Sequence, residues 1–169
     1  MKTNFYYFII LSIFLSINCS AHFDLKSIKH IAAKGRIQDK SFNPDIPVID
    51  DMIKKGKESI PILIEMLMDE TELQKGIIDY WQKVTVGDLS LIILVDFFTD
   101  SSWRKSTVDE ASWNNLLGEN SARLPFERRL REYIKKNGRR ALFKKWSNIW
   151  SEYKDRLFWD KKDRCFKVN

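Results

Sequence analysis

Asp96 is the acidic residue of this chain best placed to do chemistry. It lies on the same helical face as Leu89, Ile92 and Ile93, inside the almost wholly apolar run Leu89 to Phe98. A carboxylate turned inward from such a helix loses its water, and burial raises its pKa unless an Arg or Lys neutralises it. A raised carboxyl group in a cleft can act as a general acid or base. The same group paired with Arg104 or Arg123 is structural. Both readings of this candidate buried acid follow from the sequence. Glu65 and Asp69, four apart, share a helical face, and residues 69–84 carry Asp69, Glu70, Glu72 and Asp79. His22 and His30 have no partner motif, and the chain contains no HExxH, GxSxG, Gly-rich phosphate loop or CxxC pattern. No catalytic, cofactor-binding or metal-ligating residue is assigned from the sequence.

Cations form the second constellation. Arg128, Arg131 and Lys135 fall on one face of a predicted helix, and Arg139, Arg140, Lys144 and Lys145 crowd the start of the next. Such a surface suits an acidic protein, a cell-wall polyanion or anionic lipid headgroups. The alternative is that these side chains solvate an amphipathic helix or pair with acidic residues of the same domain. Trp103 stands beside Arg104 and Lys105 in a polar loop, a setting that fits either partner contact or the sealing of a helical stack. Trp146 and Trp150, four apart on an apolar stripe, read as core, whereas Trp159 in the tail has a weaker packing claim.

Residues 1–21 read as a signal peptide. Lys2 precedes the apolar run Phe5 to Ile17, which is short for a membrane span and the right size for a leader core. Ser16-Ile17-Asn18-Cys19 resembles a bacterial lipobox, which implies cleavage before Cys19 and a lipid tether on it; Cys19-Ser20-Ala21 offers the competing cleavage after Ala21. Either site predicts an exported protein of the periplasm or outer cell envelope, so nucleic acid is not an expected partner. Cys165 is then the thiol left within the fold.

The whole chain has 29 Lys+Arg, 23 Asp+Glu, six Gly, four Pro and two Cys. That inventory excludes fibrous, disordered and disulfide-scaffold classes. Residues 22–169 are the size of one domain and contain no linker-like stretch. Charge is unevenly spread: residues 22–122 hold 12 cations and 17 acids, residues 123–169 hold 16 and six.

Mostly helical elements must position these groups. A short amphipathic helix is expected over His22 to Gly35, and another after an Asn43-Pro44 start, with Ile46, Ile49, Met52 and Ile53 as its stripe and Gly56 as its stop. Ser59 to Met68 repeats the pattern. Thr85 to Asp88 forms a capping box before the Leu89 to Phe98 helix, which should be the most buried. Ser106 to Glu110 offers two overlapping capping boxes before Ala111 to Leu117 and a Gly118 stop. A basic helix from Ser121 turns Phe126, Leu130, Tyr133 and Ile134 inward and ends at Asn137-Gly138. Leu142, Trp146, Ile149, Trp150, Tyr153 and Leu157 mark the last helix, and the tail reads as a β-hairpin or an extended arm.

Residues 44–98, with helix, Gly-containing turn, IPILIEMLMD and a Gly-Asp helix start, resemble a HEAT-like helical repeat. The resemblance implies an all-α stack of antiparallel helix pairs that binds other proteins; no further unit recurs at a fixed spacing. The expected function is a non-enzymatic protein-interaction module, exported and lipid-anchored if Cys19 is modified. Its expected partner is an acidic protein or polyanion at the envelope. The alternatives are a small envelope enzyme using Asp96 or the carboxylates of residues 69–84, and a peripheral binder of anionic lipid or wall polymer.

Overall fold

The computed structural model describes residues 23–32, 36–43, 46–102, 105–120 and 122–169. The leader with Cys19, together with His22, Pro44, Trp103, Arg104 and Ser121, lies outside the described residues. The fold is mostly helical and ends in a two-stranded antiparallel hairpin.

Where a helix was expected over 22–35, the described part of the segment forms only a 3-10 turn, Leu25–Ser27, with Asp24 accepting from the Lys26 N–H at 3.1 Å. Phe23, Leu25, Ile28 and Ile31 are buried all the same. Their main chain is claimed elsewhere: Ile31 pairs in parallel with Ile78, its N–H donating to the Ile77 carbonyl at 2.6 Å. Apolar spacing reported burial correctly, but a long-range bridge replaced the helical hydrogen bonds.

Helix α1 (Pro47–Lys55) buries Ile49 and Met52, and begins after Ile46 rather than at Asn43. Pro47 supplies the first-turn proline, a position where a missing N–H costs nothing. Asn43 instead accepts from the Ala32 N–H at 2.8 Å and donates to the Arg36 carbonyl at 3.3 Å. Gly56, at φ 69°, closes α1, and α2 (Ser59–Met66) follows within one 3-10 turn. Asp69 falls beyond the end of α2 and accepts from the Thr71 N–H, so it does not share a helical face with Glu65.

Helix α3 (Val86–Phe97) is the centre of the molecule, buried around most of its circumference and packed chiefly on α2. Its capping box is complete: Thr85 Oγ1 accepts from the Asp88 N–H at 3.2 Å, and Asp88 Oδ2 accepts from the Thr85 N–H at 2.9 Å. Ser90 is tolerated inside because its hydroxyl donates to the Leu63 carbonyl at 2.8 Å.

The two capping boxes expected at 106–110 do not cap a helix. Ser106 donates to the Phe98 and Val108 carbonyls, and Thr107 to those of Phe98 and Phe166, tying the loop to the end of α3 and to the hairpin. Ser112 is the residue that caps α4 (Trp113–Leu117), which ends at Gly118.

Helix α5 (Phe126–Asn137) buries Leu130, but Phe126 stands 47% exposed rather than inward. Helix α6 (Arg139–Tyr153) buries Leu142, Trp146 and Ile149. Leu157 leaves the helical stripe and begins β1 (Leu157–Asp160), which pairs with β2 (Cys165–Val168) in the register Leu157↔Val168 and Asp160↔Cys165. Phe166 of β2 meets Phe97, Phe98 and Trp159, and Phe98 meets Trp146, so the aromatic centre joins α3, α6 and the hairpin. Trp159 is thereby a packing residue.

Candidate binding cavity and basic face

The lower half of α3 forms one wall of a cavity of about 560 Å³. Ile92, Val95 and Asp96 face it from the helix, Thr99 from just beyond its end, Ile31 and Ile78 from the parallel bridge, and Trp113, Phe126 and Arg129 from α4 and α5. Glu127, at the start of α5, accepts from the Gln82 and Lys83 N–H groups, which holds the connector bearing Trp81 against the same opening. Tyr80, the neighbour of Trp81, sits in the left-handed region at φ 68° and is 89% exposed.

Asp96 lies in the lining of this cavity. Its Oδ2 accepts from the Ile37 N–H at 2.7 Å, and its main-chain carbonyl accepts from Gln38 Nε2 at 2.9 Å. Desolvation pushes the carboxyl group up to about 7, against the opposing pull of the Ile37 N–H and the Arg36 charge. The cation near it is therefore Arg36, which sequence reasoning did not name. Arg123 is exposed, and Arg104 lies outside the described residues. Arg36 is only 6% exposed and donates through Nη1 to the carbonyls of Thr99, Asp163 and Arg164. Its Nε is buried without a hydrogen-bond partner.

Two further cations line the space. Arg129 is buried, donates to Asn114 Oδ1 at 3.1 Å and to the Gly118 carbonyl, and lies 5.8 Å from the centre of the Phe126 ring. Trp113 packs on that ring at 5.0 Å between centroids. Lys105 is exposed at the opening. Among the described lining residues Asp96 is the one carboxylate. No group of three or more His, Cys, Asp or Glu among the described residues is placed to hold a metal ion.

The basic helices divide into inward and outward cations. Arg139, expected on a surface, is buried: its Nη2 donates to Asp88 Oδ1 and to Thr85 Oγ1, each at 2.7 Å. It leaves the binding-surface set because α6 begins against the N-terminus of α3. Arg131 is half-buried and donates to Asp88 Oδ2 at 2.7 Å. Burial alone would raise the Asp88 carboxyl, but the Arg131 hydrogen bond, the Arg139 charge and the Thr85 N–H outweigh it and hold the group below the usual range. Lys145 also turns inward, donating to the Asn115 and Leu116 carbonyls at the end of α4. Arg128 pairs with Glu132 on its own helix. Lys135, Arg140 and Lys144 remain exposed.

His30 and Cys165 lie outside the cavity lining. His30 meets Asp79 at 2.9 Å where the Ile31–Ile78 bridge brings their strands together. Cys165 is a buried free thiol whose pKa burial pushes up to about 11, so it stays protonated. No described helix is long and apolar enough to cross a membrane.

No protein-family model, curated protein or solved structure matches this chain.

Proposed function

We propose that this chain is a non-enzymatic interaction module of the cell envelope, exported by its N-terminal leader and tethered through Cys19 after cleavage before that residue, and that the cavity beside Asp96 is its recognition site. The observation that carries this reading is the composition of the lining: among the described residues, aromatic rings, amides, hydroxyls and three cations surround a single carboxylate. Paired-carboxylate chemistry asks for a second Asp or Glu beside the first, and the described lining holds none. Recognition asks for an apolar enclosure with a few convergent polar groups, and a volume of about 560 Å³ falls in the range that holds small ligands or a protruding side chain. The helix–Gly56–helix connection and the packing of α2 on α3 support the finer reading of α1 to α3 as a HEAT-like unit.

The test uses the mature chain and its Lys105→Glu variant as baits in envelope extracts. Lys105 is exposed, so the variant keeps the fold while reversing one charge at the opening. An acidic partner retained by the natural chain and lost by the variant supports the module. Equal retention by both, or by neither, contradicts it.

A second reading rests on Lys135, Arg140 and Lys144, which stand exposed while their neighbours are held by internal partners. They suit a wall polymer or anionic headgroups through screened, salt-sensitive contacts.

A further inference from the structure

We propose that the cavity beside Asp96 binds a carboxylate carried on an apolar body. This rests on the reading of the cavity as a recognition site and names the chemistry it recognises. Two independent features of the lining lead to it.

The first is charge. Among the described residues, Arg36, Lys105 and Arg129 face the space against one carboxylate, Asp96. Arg36 is largely occupied by backbone carbonyls, yet its buried Nε lacks an acceptor. That atom has no surface open to the cavity, so Arg36 contributes its charge to this wall and not a hydrogen bond to the ligand. Arg129 uses Nη2 on Asn114 and Gly118, which leaves guanidinium donors for an anion. Lys105 has no ion pair among the described residues and can meet an anion at the entrance. The second feature is the wall. Ile78, Trp81, Ile92, Val95, Trp113 and Phe126 give the ligand an apolar enclosure larger than a headgroup alone would need.

A carboxylate fits better than a multiply charged anion because Asp96 is part of the lining. Protonated, Asp96 donates a hydrogen bond to a ligand carboxylate; ionised, it repels one. Since burial places its pKa near 7, binding should tighten as the pH falls from 8 to 6. The groups around Asp96 are Thr99 just past the end of α3, Arg36, the Ile37 N–H and Gln38 on the preceding segment, and Lys105 and Arg129 across the cavity. Asp163 and Arg164 reach Arg36 through their carbonyls, and the His30–Asp79 pair lies beside the bridge. Asp96→Asn separates Asp96 from all of these and preserves an acceptor for the Ile37 N–H.

The experiment measures the intrinsic fluorescence of the mature chain, with Trp81 and Trp113 as reporters, during titration with decanoate, decanol and decylammonium. The expected result is saturable decanoate binding at least tenfold tighter than either decanol or decylammonium. Lys105→Glu should weaken it fivefold or more without lowering the unfolding temperature, and Asp96→Asn should strengthen it at pH 8 and remove its pH dependence. A peptide ending in a free leucine carboxylate and the same peptide amidated identify the source. Tighter binding of the free acid peptide than of decanoate assigns a partner's chain end, and the reverse order assigns a free acid. Absence of saturable decanoate binding, equal binding of decanol or decylammonium, indifference to Lys105→Glu, or pH dependence that survives Asp96→Asn overturns the proposal. If decanoate fails while partner retention still depends on Lys105, the carboxylate assignment falls and the interaction module stands.

Discussion

Arg139 and Asp88 meet at 2.7 Å inside the protein, fifty-one residues apart, both buried and sharing Thr85 as a third partner. This contact turns a helix cap into the junction between the acidic first part of the chain and its basic last third. Arg131 completes it from α5, so one carboxylate ties α3, α5 and α6 together. Asp88→Asn should destabilise the protein by about 3–5 kcal/mol in urea unfolding, because two guanidinium groups lose their counter-charge in or near the interior. The folded pKa of Asp88 is depressed, so its contribution is fully present above the unfolded-state pKa and is lost as pH falls through the folded one. Acid titration of the natural chain should therefore show a loss of stability below the ordinary carboxylate range that the Asn variant lacks.

Asp96 runs the other way. Its pKa is raised to about 7, so between the unfolded value near 4 and that point the folded protein holds more protons than the unfolded chain. Stability should fall as the pH rises through this window and level off above it. Each pH unit between the two pKa values is worth about 1.4 kcal/mol, so Asp96→Asn should gain roughly 2–4 kcal/mol at pH 8 and nothing at pH 4. Unfolding midpoints of the two chains at both pH values check this.

Gly87 occupies a helix where alanine is normally the better former by about 1 kcal/mol. A Cβ there would collide with the Leu67 carbonyl and come within 2.8 Å of Arg139 Nη1. The main chain of residue 87 also donates to the Asp69 carbonyl at 2.9 Å, which fixes the approach. Gly87→Ala should cost about 1–3 kcal/mol by forcing the α2 end and Arg139 apart. Circular dichroism melting that shows a stabilised variant would refute the packing described here.

Among the basic side chains, position decides the outcome of charge reversal. Arg140→Glu combined with Lys144→Glu should leave thermal stability within about 0.5 kcal/mol of the natural chain, as expected for exposed sites. Arg131→Glu should unfold it, since it would set a carboxylate against Asp88. Differential scanning fluorimetry of the two variants distinguishes outward cations from inward ones.

Much of the fold was legible in local pattern. Gly56 and Gly118 stop helices, Thr85 and Asp88 cap one, and the broken period of the tail marks the hairpin, because each of these signals depends on neighbours within a few residues. Misreadings occurred where distant segments supplied the partner. Ile31 took a bridge with Ile78, Thr107 turned to Phe166, and Asn43 turned to Ala32 and Arg36. The candidate site was legible in part for the same reason. Asp96 was identifiable from the apolar helix around it, but Arg36 and Arg129 reach the cavity from elements whose arrangement no local periodicity encodes. Equally, the excess of acid before residue 122 and of base after it is compatible with internal pairing or an external partner, and it does not point to Asp88 as the centre of the pairing.

The central claim, that the cavity beside Asp96 is where this module meets its partner, is tested most directly by photo-crosslinking in intact host cells. A photoreactive phenylalanine analogue is placed at the position of Trp113 in one chain and of Arg140 in another. The cavity reading predicts a discrete adduct from position 113 that Lys105→Glu abolishes. Adducts from position 140 alone, or from neither position, would contradict it.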